Sequence, residues 1–498
     1  MLTAAALAAA ITAPTLTPRL RHSIVAGAVY DLDSHRMLYA RNANLLMVAA
    51  STTKLLTEGT SLALLGPNFR WTTPVYRTGA IDSTGVLHGD LVLVASGDPN
   101  LSQRIQPNGT LAFENEDHAY DGSADTKAVP GDPLAVLREL AAQVAKSGIK
   151  SIDGHVVVDA SLLPDQGAEN GTGVFLSPIV VNDNIVDVTV TPGAHPGDPV
   201  SLRVSPETEY VTFVNRATTG APKSDATIDL SDDVRLADGR HRVTITGAQP
   251  EGAGVLYAYR APEPKAYAQF AFTRALVDAG VRVAQESGSA QPPSRSAYQA
   301  ANLVAQHVSP PLSEDVYITL KVSDNLHAAL MPYMWALYIS HAKSDYLKQG
   351  YALQANLLRS AGLDASQAAE QDGEGSNAFF TPDFMVHYLA WARTQQWYPL
   401  LLRGLPIMGV DGTLVHIQTK SPARGKVFAK TGTDGSTNFL TDGGVIEKGL
   451  AGYITTRNGR HVAFAFYIGA MPGPHDEDTG EVAGQILGAM AAATYERL

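Results

Sequence analysis

Cysteine is absent from the 498 residues. That excludes disulfides, thiolate nucleophiles and Cys-based zinc sites. Basic runs are absent too, and Asp and Glu outnumber Lys and Arg by 49 to 37. At a net charge of −12 a nucleic-acid partner is not expected. Nowhere does an apolar stretch reach the ~18–20 residues of a membrane span. HExxH and GxSxG are both missing and the 14 histidines are scattered, so neither a metal nor a cofactor is expected. The length allows roughly three domains and a large core.

What is present is a set of short serine and lysine motifs. SxxK occurs three times, at Ser51–Lys54, Ser147–Lys150 and Ser340–Lys343. Ser147-Gly148 follows the helical pattern Leu134 to Ala145, where the glycine reads as a C-terminal stop. Ser340 follows the apolar run Met331 to Ile339 and reads as the polar end of a packed helix. Ser51 differs, because it opens a helical stretch that runs to Leu65 and stops at Gly66-Pro67. Residues three apart on a helix share a side, so the Lys54 amine there reaches the Ser51 hydroxyl. Apolar surroundings penalise the ammonium, and only a neutral amine takes the serine proton. A helix N-terminus also offers free N–H groups and a positive dipole end to an oxyanion. Taken alone, the tetrad also reads as an N-cap on a core helix.

Ser323-Asp324-Asn325 falls between the helix-like runs Leu312 to Val322 and Leu326 to Ile339, and reads as a turn. Both polar side chains suit a cleft, Ser323 to pass a proton to a leaving group and Asn325 to bond an acyl-chain amide. A plain Asx-type turn is the alternative. Another SxN, Ser436 to Asn438, belongs to a neighbouring strand or turn. Lys430-Thr431-Gly432-Thr433 ends a strand-like alternation that starts at Gly425. Its lysine and threonine suit a substrate carboxylate, and Gly432 admits close approach of a ligand backbone. An N–H near Thr433 is a second candidate oxyanion donor. The alternative is an edge-strand lysine that blocks aggregation. By chance, the ordered trio is much less expected than any one member.

SxxK, SxN and KTG in this order resemble penicillin-binding proteins and serine β-lactamases. The rest of the chain is similar to the D-alanyl-D-alanine carboxypeptidases/endopeptidases of peptidase family S13, the penicillin-binding protein 4 type. Gly89 through Leu101, Val410-Asp411-Gly412-Thr413-Leu414 and Gly425 through Thr433 carry that likeness, which extends from about Val25 to the C-terminal helix. The resemblance implies Ser51 as the acylated nucleophile and Lys54 as its general base, with Ser323, Asn325 and Lys430 completing the cleft. It implies hydrolysis of peptidoglycan peptides ending in D-Ala-D-Ala, covalent inhibition by β-lactams and a periplasmic or extracytoplasmic setting, and it admits a homodimer. Two rivals stand beside it: a β-lactamase, which must deacylate quickly, and a peptidoglycan-binding protein that has lost hydrolysis. One stretch departs from the family pattern. Asp372 to Pro382 is shorter than the usual Asp-Gly-Ser-Gly-Leu-Ser-Arg-like segment and lacks the arginine.

The gap from Ser51 to Ser323 is more than twice that from Ser323 to Lys430, longer than one catalytic domain requires. Strand-like runs fill it, at Trp71–Gly79, Gly85–Ser96, Val156–Asp159, Ile179–Thr191, Val200–Val204 and Val243–Gly247. A helix-like run at Asp132–Lys146 between two of them predicts a βαβ-like subdomain, and a linker-like stretch from Ser287 to Ser294 closes the insertion. Hairpins at Ser23–Asp31 with Met37–Ala40, and at Leu450–Thr455 with His461–Ile468 across Asn458-Gly459, bring both chain ends into one sheet. The expected class is α+β, with a serine β-lactamase/transpeptidase-like catalytic domain from residues 1–66 and 298–498. The resemblance implies two inserted β-rich domains, one from 67–85 and 186–297, and a βαβ-like one at 86–185 nested in it. Met1 to Ile11, apolar and alanine-rich but with no Lys or Arg before it, is similar to a signal h-region.

Overall fold

A computed structural model describes residues 3–164, 166–284, 291–441, 443–474 and 478–498. The Ser287–Ser289 part of the expected linker lies outside them. Two compact units divide the chain, residues 1–69 with 311–498, and residues 70–310.

The first unit is α+β, and both chain ends meet in its sheet. Five antiparallel strands run in the order Arg36–Arg41, Ile24–Asp31, His461–Pro474, Gly443–Thr455, Val427–Asn438. Alternation along the strands sorts side chains between two buried faces. Val29, Leu450, Ile454, Phe464 and Phe466 pack in one core with Leu487 and Met490 of the C-terminal helix, Thr479–Arg497. Ala463, Ala465 and Tyr467, the intervening positions, are also buried. On that side Tyr453 Oη donates to Leu389 O of the helix Pro382–Arg393 at 2.9 Å.

The N-terminal apolar segment forms the helix Ala4–Thr12. Leu7 and Ile11 join the same core as Phe464 and Phe466. Four residues apart, they share one helical face.

Three helices frame the first two motifs. Lys54–Leu64 packs against both Leu312–Val322 and Asn325–Tyr338. The expected turn between the last two is present. Ser323 adopts a left-handed φ of 67° as the C-cap of one helix, and the Asp324 carboxylate caps the next by accepting the His327 N–H at 2.9 Å. Residues Ala365–Gln367 form a 3-10 turn. It gives way to a strand at Ala368–Ala369 that pairs with Phe379–Phe380.

The second unit is β-rich. Leu303–Val308, Thr72–Arg77, Leu91–Val94 and Val156–Asp159 form one sheet, and Arg282–Val283, Ser151–Ile152, Val86–His88 and Ala80–Ile81 another. The expected single strand Gly85–Ser96 is thus two, interrupted at Gly89-Asp90. Leu91–Val94 and Val156–Asp159 run parallel, with the helix Ala135–Lys146 in the connection between them. Parallel pairing needs such a crossover, and the apolar stripe Val136, Leu137, Leu140, Ala141 and Val144 buries that helix. Three-stranded sheets built on Ile185–Thr191 and His241–Thr246 complete the unit.

Candidate active site

Ser51 lies in a 3-10 turn, Ala50–Thr53, that leads into the α-helix Lys54–Leu64. Ala50 enters it at φ 45°, a left-handed conformation that costs a non-glycine residue about 1–3 kcal/mol. The turn is tied down by Thr52, whose N–H and hydroxyl both donate to Ala49 O, at 3.2 and 2.6 Å. Lys54 is fully buried. Its Nζ reaches Ser51 Oγ at 2.8 Å, Asn325 Oδ1 at 2.5 Å and Ser323 Oγ at 3.4 Å. One amine therefore joins the first two motifs.

The other two SxxK tetrads make no such contact. Ser147 is the C-cap of Ala135–Lys146 and its hydroxyl donates to Val144 O. Gly148 follows at φ 98°, the helix stop expected of it. Ser340 is exposed just beyond Tyr338, where its helix ends.

Lys430 is also fully buried. Burial, reinforced by the charges of Lys54 and Lys448, holds its pKa well below the usual lysine range. Its Nζ donates to Thr431 O at 3.0 Å. Thr431 Oγ1 is 2.7 Å from Thr413 Oγ1, and Thr433 Oγ1 accepts from Lys448 Nζ at 2.6 Å. The close approach that Gly432 permits is made by the protein's own nucleophile turn. A Cβ on Gly432 would stand 2.6 Å from Ala49 O and 3.1 Å from Thr52 N. The third motif is thereby pressed against the first.

Sequence reasoning missed three neighbours of this cleft. The segment that lacks the family's arginine packs on the nucleophile turn. Ala49 N–H donates to Ala378 O at 2.8 Å, and a Cβ on Gly375 (φ 109°) would fall 2.0 Å from Ala50 O. Asp372 closes that loop by accepting the N–H groups of Gly375 and Asn377 at 2.7 and 3.0 Å. The only signal for this contact was the pair of glycines, Gly373 and Gly375.

A second neighbour is Lys321. Its buried Nζ donates to Leu405 O at 2.6 Å and to Asp411 Oδ1 at 2.9 Å. Burial lowers its pKa even though Asp411 opposes the shift.

The third is Glu58, one helical turn after Lys54. Neither of its buried carboxylate oxygens has a hydrogen-bond partner among the described residues. Burial, and then the Asp315 charge, push its pKa well above the usual carboxylate range. Glu370, beneath the same helix, is pushed up to about 8, by burial first, while the Thr57 hydroxyl at 3.2 Å opposes the shift.

In the second unit, Asp117, His118 and Asp183 offer ligand atoms within 4.8 Å of one another. An arginine already compensates them, since Arg104 is 2.5 Å from Asp117 and 2.7 Å from Asp183. His118 lies 2.9 Å from Asp183 and 2.7 Å from Asp187. Burial opposes its charge, yet Asp187 and Asp183 hold its pKa well above the usual histidine value. Both imidazole nitrogens are already engaged by carboxylates, so this donor set fits a compensated ionic cluster.

Comparison with known proteins agrees with the geometry. The chain is 28% identical over 447 residues to a D-alanyl-D-alanine carboxypeptidase of Actinomadura sp. (strain R39), covering 85% of this chain and 76% of that protein. It is 24% identical over 453 residues to the D-alanyl-D-alanine carboxypeptidase DacB of Haemophilus influenzae, covering 88% and 84%. The crystal structure of penicillin binding protein 4 (dacB) from Haemophilus influenzae has the same fold, with a TM-score of 0.72 at 21% identity over the whole of both chains. The same protein complexed with a novel β-lactam superposes at a TM-score of 0.71, with 22% identity and full coverage of both chains. A family model matches residues 7–491, nearly the entire sequence, and the chain belongs to the D-Ala-D-Ala carboxypeptidase 3 (S13) family of serine peptidases.

Proposed function

We propose that the protein removes the terminal D-alanine from peptidoglycan stem peptides ending in D-Ala-D-Ala, through an acyl-enzyme on Ser51. The observation that carries this is the Lys54 amine, buried and 2.8 Å from the Ser51 hydroxyl. As a free base, Lys54 accepts the Ser51 proton while Oγ attacks the carbonyl between the two D-alanines. The carbon–nitrogen bond breaks, and the proton passes from Lys54 through Ser323 to the departing amine. The Ser323 hydroxyl, 3.4 Å from Lys54 Nζ, suits that relay. Water then attacks the ester, Lys54 takes the water proton, and Ser51 is restored.

Asn325 orients Lys54 and bonds the acyl chain, Lys430, Thr431 and Thr433 bind the substrate carboxylate, and Gly432 brings their strand onto the nucleophile turn. The N–H groups of Ser51 and Thr433 form the oxyanion site. The same chemistry on a cross-linking peptide makes the enzyme an endopeptidase. β-Lactams acylate Ser51 and remain, because their leaving group stays tethered to the ring. The β-lactam complex of the Haemophilus influenzae neighbour supports this part. An extracytoplasmic setting, where peptidoglycan is found, follows from the substrate; no helix among the described residues is long and apolar enough to cross a membrane.

Intact-mass spectrometry after incubation with a penicillin tests the assignment. One stable adduct on wild type, none on Ser51→Ala, and D-alanine release by wild type alone are expected. Hydrolysed penicillin without an adduct would make the protein a β-lactamase. An adduct without D-alanine release would make it a binding protein.

A further inference from the structure

The segment Val410-Asp411-Gly412-Thr413-Leu414 has no part in the acylation chemistry above, yet several contacts hold it against the KTG strand. Met408 N–H donates to Val427 O at 3.0 Å and Ala429 N–H to Pro406 O at 3.0 Å, so its lead-in lies along the strand edge. Asp411 Oδ1 accepts the Ile407 N–H at 2.8 Å and the buried Lys321 ammonium at 2.9 Å. Gly412 follows at φ 57°, and a Cβ there would stand 2.3 Å from Lys321 O. Only glycine fits that position. The outcome of this anchoring is the place of one side chain: the Thr413 hydroxyl stops 2.7 Å from the Thr431 hydroxyl.

Both threonines are half-buried. A purely structural tie there would be redundant, because backbone bonds at Met408 and Ala429 already hold the segment to the strand. Two hydroxyls in contact share one hydrogen between them, and the other hydrogen remains free for an outside acceptor. A donor that is itself hydrogen-bonded is polarised and fixed in direction. The pair thus presents one oriented O–H beside Lys430.

We infer that Thr413 is a positioning residue for substrate, forming with Thr431 a hydroxyl pair that donates to the free terminal carboxylate of the peptide. This deepens the proposed carboxypeptidase reading and rests on it. The pair accounts for preference for a free carboxylate over a blocked one, because an amide in that place lacks the charge that makes such a bond strong.

Steady-state kinetics on a peptide ending in D-Ala-D-Ala, and on the same peptide with its C-terminus amidated, test this in wild type, Thr413→Val, Thr413→Ser and Thr431→Val. Thr413→Val is expected to raise KM for the free acid by about tenfold, as for loss of a charge-assisted hydrogen bond, while kcat falls much less. Preference for acid over amide narrows by the same factor. Thr413→Ser restores both. Combining Thr413→Val with Thr431→Val costs less than the two single effects multiplied, because they remove one shared donor. Thermal unfolding of each variant identifies a folding defect, and in that event the serine variant and the Thr431 variant carry the comparison. A folded Thr413→Val enzyme that keeps the wild-type preference for the acid overturns the inference. Failure of wild type to release D-alanine overturns the parent reading, and this one with it.

Discussion

Lys54 and Lys430 are both fully buried, and the charge of Lys54 is one of the causes that disfavour the ammonium of Lys430. Burial first, and then the neighbouring Lys54 charge, keep the Lys430 pKa low.

Lys430→Met is therefore expected to stabilise the fold while impairing the enzyme. The folded-state pKa of Lys430 lies well below the ordinary lysine value of 10.5. At pH values between the two, the unfolded chain binds a proton that the folded chain does not, so stability rises with pH across that window. The penalty is greatest below the folded pKa and vanishes above about pH 10.5. Urea unfolding at pH 7 and pH 11 checks this: Lys430→Met gains about 1–3 kcal/mol at the lower pH only. Acylation by penicillin slows at the same time.

Gly432→Ala tests how tightly the KTG strand is pressed on the nucleophile turn. The added methyl meets backbone atoms, Ala49 O and Thr52 N, and backbone cannot rotate aside as a side chain can. Overpacking of this kind costs about 1–3 kcal/mol. The acylation rate is expected to fall by about 100-fold, because a shift near 1 Å at reacting groups has that effect. Adduct formation followed by mass spectrometry, alongside the unfolding midpoint, separates the two effects.

Lys321→Met leaves Asp411, whose carboxylate also holds the Ile407 N–H, without its cation. Asp411 is partly solvated, with 24% of its side chain exposed, so the expected loss is about 2–3 kcal/mol, below that of a fully buried broken pair. Adding Asp411→Asn is expected to recover part of it. Additive losses in urea melts would mean that the two residues are not coupled.

Glu370 gives a pH-dependent stability of the opposite sign to Lys430. Its folded pKa of about 8 exceeds the ordinary glutamate value of 4.5. Between these values the folded chain holds a proton that the unfolded chain has lost, so stability falls as pH rises. Glu370→Gln is expected to match wild type at pH 4 and to be more stable at pH 9 by a few kcal/mol. Equal midpoints at pH 9 would show that the group ionises freely in the folded protein.

Much of the site was legible in the sequence because its parts are local. Ser51 and Lys54 are three residues apart, and helical geometry alone brings them together. The turn at Ser323–Asn325 was legible from the apolar runs on either side, and the strand at Lys430 from its alternation. The nucleophile's 3-10 turn was not, since the left-handed Ala50 answers to Gly375 and Gly432 packing around it. Nor was the packing of the helix Ala4–Thr12 on the C-terminal helix, since an alanine-rich apolar run carries no record of its partner.

By itself the sequence determined which side chains make up the candidate site, the strands at both chain ends and the long insertion between the first two motifs. Those properties depend on spacing and periodicity within single elements. Only the tertiary structure decided that one buried amine touches both SxxK and SxN, that Gly432 yields to the nucleophile turn, and that Thr413 meets Thr431. Each of those contacts joins segments far apart in the chain. Their register depends on how whole elements pack, and no local pattern of residues records it.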